Sequence, residues 1–356
     1  MLRSPVTVSM AFVHGMLAGV KAGGRPFDAF LADANIAPEL LRQPGARVTS
    51  DQYVALFRSL ARRLDDDFLG FLSRPLKRGS FALIARSAVG AATLEAAMGQ
   101  VFETFRLLQD DLVLETVRRG DLVAVALRFH APGAPRPPFL DELLLRTFWR
   151  LLAWMAGGRL PAARFDFAFG MPPYAESYAK VFPAPLRFDC SQSAFWFSAA
   201  RLDKPVHRDE AALRAFIADA QEHLILPRRE DDIVSARVRN HLQDTLPRWP
   251  DLAATAGALN MAASTLQRKL AAEGSSFRTL KDELRLDIAI VRLHTSTVAL
   301  AVLADELGFA DSAAFQRAFK TWTGSAPGAY RRADRRLEQG RCAESAAGRI
   351  CNGVDH

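Results

Sequence analysis

The sequence predicts a multidomain chain: an N-terminal α+β domain with a small antiparallel sheet, then an all-α domain in which two helix-turn-helix motifs are joined by a long helix. Three observations point there. A helix-turn-helix pattern is written twice between Leu252 and Trp322. An amphipathic stretch without helix breakers separates the copies, and ahead of residue 205 the apolar period switches from helical to alternating.

In chain order, Val13, Met16, Leu17 and Val20 fall at i, i+3, i+4, i+7, and Gly23-Gly24 closes the run. This spacing predicts an amphipathic first helix and not a secretory leader, despite Arg3 and the apolar run after it. TSDQYVALFRSLARR from Thr49 to Arg63 predicts a helix capped by Thr49 or Ser50, with Tyr53, Leu56, Phe57 and Leu60 inward. Helical text follows at Ser80–Val89 and Thr93–Leu108. Leu112–Val117 and Leu122–Phe129 are β-rich runs joined by Arg119-Gly120-Asp121, a hairpin signal. Leu140–Gly157 predicts a strongly apolar helix, and Ala163–Gly170 a strand with Phe165, Phe167 and Phe169 on one face. A short helix near Tyr174–Val181 and a last hairpin, LRFDCS with FWFSA, complete an α+β layer over residues 1–205. Residues 206–230 predict a linker helix with Pro227-Arg228-Arg229 as its junction, residues 231–336 a second domain starting with a helix near Asp231, and the small polar text at 337–356 a disordered tail.

The first copy, LAATAGALNMAASTLQRKL, has Leu252, Ala253 and Ala256 at helical spacing, a break at Gly257–Ala262, and a resumed stripe at Leu266 and Leu270. In the second, Leu300, Leu303, Ala304 and Leu307 form the stripe, Gly308 permits a left-handed turn, Asp311 or Ser312 can cap, and Phe315 and Phe319 face inward. Each second helix keeps a polar, basic outer face: Ser264, Gln267, Arg268 and Lys269, then Ser312, Gln316, Arg317 and Lys320. Such side chains reach phosphates and base edges. Between them Phe277, Leu280, Leu284, Ile288 and Val291 stripe one rod. About 17 helical residues span roughly 25 Å, which with the offsets of the flanking helices approaches one DNA turn of about 34 Å.

The segments STLQRKLAAEGSSF (Ser264–Phe277), Arg285 with Ala289 and Leu293, Leu307–Phe309, FQRAFK (Phe315–Lys320) and GSAPGAYR (Gly324–Arg331) resemble the AraC/XylS-type transcription regulators in order and spacing, over about a hundred residues. The resemblance implies that Ser264, Gln267 and Arg268 face one major groove, and Ser312, Ala313, Gln316, Arg317 and Lys320 the next. Two departures stand out. Ala262 replaces the Ser or similar cap usual in the family, leaving Asn260 as a substitute, and Ala262-Ala263 offer no long donors. Base discrimination is therefore expected mainly from the second helix. Regulators of this type commonly bind an effector in the N-terminal domain, and this one is similar in pattern to the ornithine- and virulence-regulator branch.

Composition agrees. The 356 residues are 49% apolar with a net charge of +7, which describes a soluble globular protein with cores and suits a polyanionic partner. Cys190, Cys342 and Cys351 are odd in number and widely spaced, so neither disulfides nor a zinc site is expected and a cytoplasmic setting is. No run approaches a membrane span. His207-Arg208-Asp209-Glu210 echoes a kinase catalytic loop, but Arg214 stands where its Asn belongs and no Gly-rich phosphate loop precedes it. No hydrolase or nucleotide-binding motif appears, Asp65-Asp66-Asp67 reads as a solvated turn, and His130 and His294 read as surface or strand-edge residues, so no enzyme, metal or cofactor is expected. The aromatics from Phe102 to Phe197 read individually as core and collectively as the wall of an apolar cavity with a few polar groups such as Arg106 or Arg146. Phe105, Arg106, Trp149 and Phe167 are the effector-binding candidates. Arg331, Arg332, Arg335 and Arg336 are candidate phosphate contacts. The expected partners are double-stranded promoter DNA, a small-molecule effector, RNA polymerase and a second copy of the chain. Two other readings are an enzyme-like or ligand-storing N-terminal domain recruited to DNA, and an adaptor that binds polymerase.

Overall fold

The computed structural model describes residues 7–43, 45–131, 136–218, 234–328 and 330–331. The expected tail at 337–356, the junction at Pro227–Arg229, and Arg332, Arg335, Arg336, Cys342 and Cys351 lie outside them. Two compact units result: Ala11–Phe30 with Val54–Arg228, and Met1–Met10 with Leu31–Tyr53 and Arg229–His356. The sequence-derived boundary at residue 205 does not anticipate this, because two N-terminal pieces group with the C-terminal helices.

Those pieces carry β1 (Thr7–Ser9) and β2 (Arg47–Thr49), an antiparallel ribbon pairing Thr7 with Thr49. So short a ribbon buries too little to stand alone. α1 (Met10–Ala22) follows β1 and has Val13, Met16, Leu17 and Val20 fully buried, as its stripe predicts. α2 (Asp28–Asp33) is one short turn further on. α3 (Ser50–Leu64) begins with reciprocal capping, Gln52 N–H donating to Thr49 Oγ1 at 3.1 Å and Thr49 N–H to Gln52 Oε1 at 3.0 Å.

The triplet after α3 corrects the expectation of a solvated turn. Asp66 is buried, and its carboxylate accepts from the backbone N–H groups of Phe68, Gly70 and Leu76, while Asp67 accepts from those of Gly79 and Phe81. Burial raises both carboxyls above the usual range, against the pull of those bonds. These side chains fold the loop that delivers α4 (Ser80–Ser87), after which Thr93 caps α5 (Leu94–Leu108).

β3 (Leu112–Arg119) and β4 (Leu122–Phe129) form the expected hairpin, with Arg119 opposite Leu122 and Gly120 at φ 56° in the tight turn. α6 (Pro138–Met155) is buried on every side. β5 (Ala162–Asp166), β6 (Leu186–Arg187) and β7 (Ala194–Ser198) complete a sheet of order β3-β4-β7-β5-β6. The expected hairpin of LRFDCS with FWFSA is not formed. β5 lies between β6 and β7 and pairs with β6 in parallel, so β7 bonds to β4 and β5. Val123, Val125, Phe195 and Phe197 fill one sheet face, while Ala124, Ala126, Ala194 and Trp196 form the other. α7 (Glu210–Ala218) ends the described part of this unit, with Phe216 stacked on Trp154.

The remaining helices belong to the other unit: α8 (Val234–Asp244), α9 (Leu252–Ala258), α10 (Ala263–Ala272), α11 (Phe277–Thr295), α12 (Leu300–Glu306) and α13 (Ser312–Thr323). The ribbon packs on α11 through a buried polar chain. Thr7 Oγ1 donates to Asp287 Oδ1 at 2.5 Å, and Arg239 of α8 donates to Asp287 Oδ2 at 2.9 Å and to Glu283 at 2.7 Å. A buried carboxylate demands such partners, which explains why the N-terminal strands group here. Among the described residues no helix is long and apolar enough to cross a membrane.

Candidate nucleic-acid interface

Each copy of the repeated pattern folds as a helix, a turn and a helix. In the first, Asp251 caps α9 by accepting from Ala254 N–H at 2.8 Å, and Leu266 and Leu270 of α10 enter a core with Val238, Leu242, Leu280 and Leu284. Ala262 gives α10 no side-chain cap, as its identity predicts. Asn260 does not substitute for it. It sits at φ 57° as the left-handed residue of the turn, the place Gly308 holds in the second copy at φ 69°. There Asp311 caps α13, accepting from Ala314 N–H at 2.6 Å, and Phe315 and Phe319 are fully buried.

With the leucines and phenylalanines inward, helical geometry places the intervening residues outward. Ser264, Gln267, Arg268 and Lys269 are exposed on α10, as are Ala313, Gln316, Arg317 and Lys320 on α13, with Ser312 half-buried and its hydroxyl 3.1 Å from Gln316 Nε2. Among the described residues Arg268, Lys269, Arg317 and Lys320 make no ion pair. Four solvated cations on two helices form a surface that attracts phosphates. Arg331 has a different situation, since its guanidinium donates to the Val298 carbonyl. His294 is half-buried with its ring edge-on to Tyr330, not simply a surface residue.

Trp249, which periodicity does not single out, ties the copies together. Its indole donates to the Glu306 carbonyl at the end of α12 at 3.0 Å. Arg285 of α11 lies between the Trp249 and Phe309 rings, 5.0 and 4.8 Å from their centroids, and donates to the Gly308 carbonyl at 3.1 Å. Lys281, one turn earlier, donates to the carbonyls of Trp249 and Pro250. Burial lowers the pKa of both cations. A Cβ on Gly308 would stand 2.6 Å from the Trp249 ring, so the close approach as well as the positive φ demands glycine.

A family model described as the arabinose-binding domain of AraC transcription regulator, N-term, matches residues 24–206, and a helix-turn-helix domain model matches 255–333. The chain belongs to the AraC family of transcription regulators. The ornithine utilization regulator of Pseudomonas aeruginosa is 27% identical over 332 residues, covering 92% of this chain and 96% of that one. VirS of Mycobacterium tuberculosis is 26% identical over 307 residues, covering 85% and 89%. Among solved structures, CdpR from P. aeruginosa is 20% identical over 92% of this chain and 99% of that one, at a TM-score of 0.32. As an AraC-type regulator the protein binds DNA through its helix-turn-helix domain.

The effector candidates are dispersed. Phe105 packs edge-on to Phe148, and Arg106 lies at the surface paired with Glu103 at 2.6 Å. Trp149 donates to the Leu160 carbonyl and meets Phe165 edge-on, while Phe167 stacks among Tyr178, Phe182 and Phe188. Phe165 and Phe182, 4.9 Å apart, join the last two into one aromatic group and leave Phe105 in another.

Proposed function

We propose that this regulator reads promoter DNA with α10 and α13 in successive major grooves, and that the unit containing the five-stranded sheet senses a small-molecule effector. The exposed cations of the two helices, unpaired among the described residues and with Arg268 and Arg317 at corresponding positions, carry the reading. α11 supports it, since its 19 residues at 1.5 Å each extend about 28 Å, close to one DNA turn of about 34 Å. Gln316 and Arg317 supply base readout worth about 1 to 3 kcal/mol per good contact. Ser264, Gln267, Arg268 and Lys269 add a second set on α10, and Ala313 offers a methyl to an apolar base edge. A second copy of the chain and RNA polymerase are the proposed protein partners in a cytoplasmic setting. The domain assignment we propose keeps DNA reading in residues 231–336 and sensing within 1–205.

Hydroxyl-radical footprinting of the full chain on DNA from its own locus tests this. Two protected tracts one helical turn apart on one face are expected, with the tract assigned to α13 lost in Arg317→Ala. A single tract, unaffected by changes in α10, would refute the two-groove reading. Because the Pseudomonas relative is by name a regulator of ornithine utilization, L-ornithine is among the effector probes.

A further inference from the structure

α6 carries five buried polar side chains, Asp141, Glu142, Arg146, Thr147 and Arg150. Asp141 has both oxygens satisfied, by Ser193 Oγ at 2.6 Å and Arg136 Nε at 3.2 Å. The next residue does not. Glu142 Oε1 accepts from the Tyr174 hydroxyl at 3.2 Å and from the Tyr178 hydroxyl, but Oε2 meets no partner among the described residues. One turn along, Arg146 is 2% exposed, and neither Nε nor Nη2 has a partner among them. Glu142 and Arg146 share a helix face at i, i+4, yet form no ion pair among the described residues, where exposed side chains so spaced commonly do.

An orphaned guanidinium edge and an orphaned carboxylate oxygen, both buried, are expensive to fold unless a ligand meets them. Their chemistry is specific. Nε and Nη2 form the fork that grips a carboxylate with two parallel bonds, and a carboxylate oxygen awaits a donor such as ammonium. Tyr174, Tyr178, Phe12 and Phe167 wall the Glu142 end with rings 5.4 to 6.1 Å apart. Burial pushes Glu142 up to about 7, partly offset by the Tyr178 hydrogen bond and by Arg146. A cationic partner would pull it back.

We infer that Glu142 and Arg146 bind a free α-amino acid, its carboxylate on Arg146 and its ammonium on Glu142. The inference rests on the effector-sensing reading above and names the class of effector. The test is the melting temperature of the full chain with each of the twenty standard L-amino acids and L-ornithine, beside the decarboxylated amine and the deaminated hydroxy acid of each. At least one amino acid should raise Tm by about 5 °C at a hundredfold excess over Kd, with neither truncated analogue matching it. Arg146→Met should keep or raise the ligand-free Tm, because it removes a buried unpaired charge, and should abolish the shift. Glu142→Gln should weaken it at least tenfold in Kd. No shift with any amino acid, or a marked loss of ligand-free stability in Arg146→Met, overturns the inference. DNA affinity measured in the same samples separates the two readings. An amino acid that binds without changing DNA affinity leaves the site and removes the effector role, whereas a different metabolite that changes DNA affinity keeps the effector role and removes this site.

Discussion

The two helix-turn-helix copies share a chain path and differ in how firmly they are held. The second has a glycine at its left-handed turn pressed against the Trp249 ring, an aspartate cap on its outer helix, and a core of Phe315, Phe319 and Tyr330 rings. In the first, asparagine occupies the turn, alanine the cap position, and leucines the core. Base readout requires side chains held on a rigid backbone, and since each copy exposes one Gln, one Arg and one Lys, it is the firmness of the backbone that separates them. The first copy is better suited to phosphate contact that tolerates adjustment. On the two-groove reading proposed above, the difference points to specificity in α13 and general affinity in α10.

The largest expected effect strikes both copies alike, and so calibrates the comparison. Arg239→Ala leaves Asp287 buried on α11, the helix both copies share, and should cost about 3 to 5 kcal/mol, read from urea denaturation with coincident loss of both footprint tracts. Loss of one tract alone would show that the copies fold independently. Next in size, Gly308→Ala forces a Cβ against Trp249 in a left-handed residue and should cost about 2 to 3 kcal/mol. Asn260→Gly, at the corresponding turn, should be neutral or slightly stabilising. Equal costs at the two turns would erase the contrast.

The copies are legible in the sequence because an apolar stripe of period 3.6 also declares the opposite face: Leu266 and Leu270 place Gln267 outward as surely as they place themselves inward. The β3-β4 hairpin was legible for a similar local reason, a Gly-Asp turn between alternating runs. Features decided by distant partners were not. The Trp249 bond to Glu306 spans 57 residues, the ribbon joins α11 through Thr7 and Asp287, 280 residues apart, and the insertion of β5 between β6 and β7 is a choice of sheet order that strand propensity does not encode. Asp66 looked like a solvated turn residue because composition cannot show a carboxylate gathering three backbone donors. Arg146 is legible as a polar group of an aromatic-walled cavity, but not as a guanidinium whose Nε and Nη2 lack a partner among the described residues.

Specificity itself provides a sharper test than stability. Arg317→Ala should lower discrimination between the native site and a single-base variant by about 1 to 3 kcal/mol while leaving nonspecific binding nearly intact. Arg268→Ala should weaken all sequences together and make the salt dependence of binding shallower by about one phosphate contact. Binding isotherms at several salt concentrations separate the two outcomes. If Arg268→Ala proves the more discriminating change, the assignment of reader and anchor is reversed.

The smallest effect is the most direct measure of how the copies diverged. Asp311 satisfies an otherwise orphaned N–H at the start of α13, so Asp311→Ala should cost about 1 kcal/mol, and Ala262→Ser should add a cap to α10 and gain a comparable amount. Both residues are exposed, so neither change disturbs a core, and the Tm shifts should be opposite in sign and similar in size. The DNA-binding consequence is what decides the matter. If the uncapped start of α10 is used to adjust to phosphate positions, Ala262→Ser will raise Tm without raising affinity. If tighter binding to every sequence accompanies the rise, the missing cap only weakens the first reading helix.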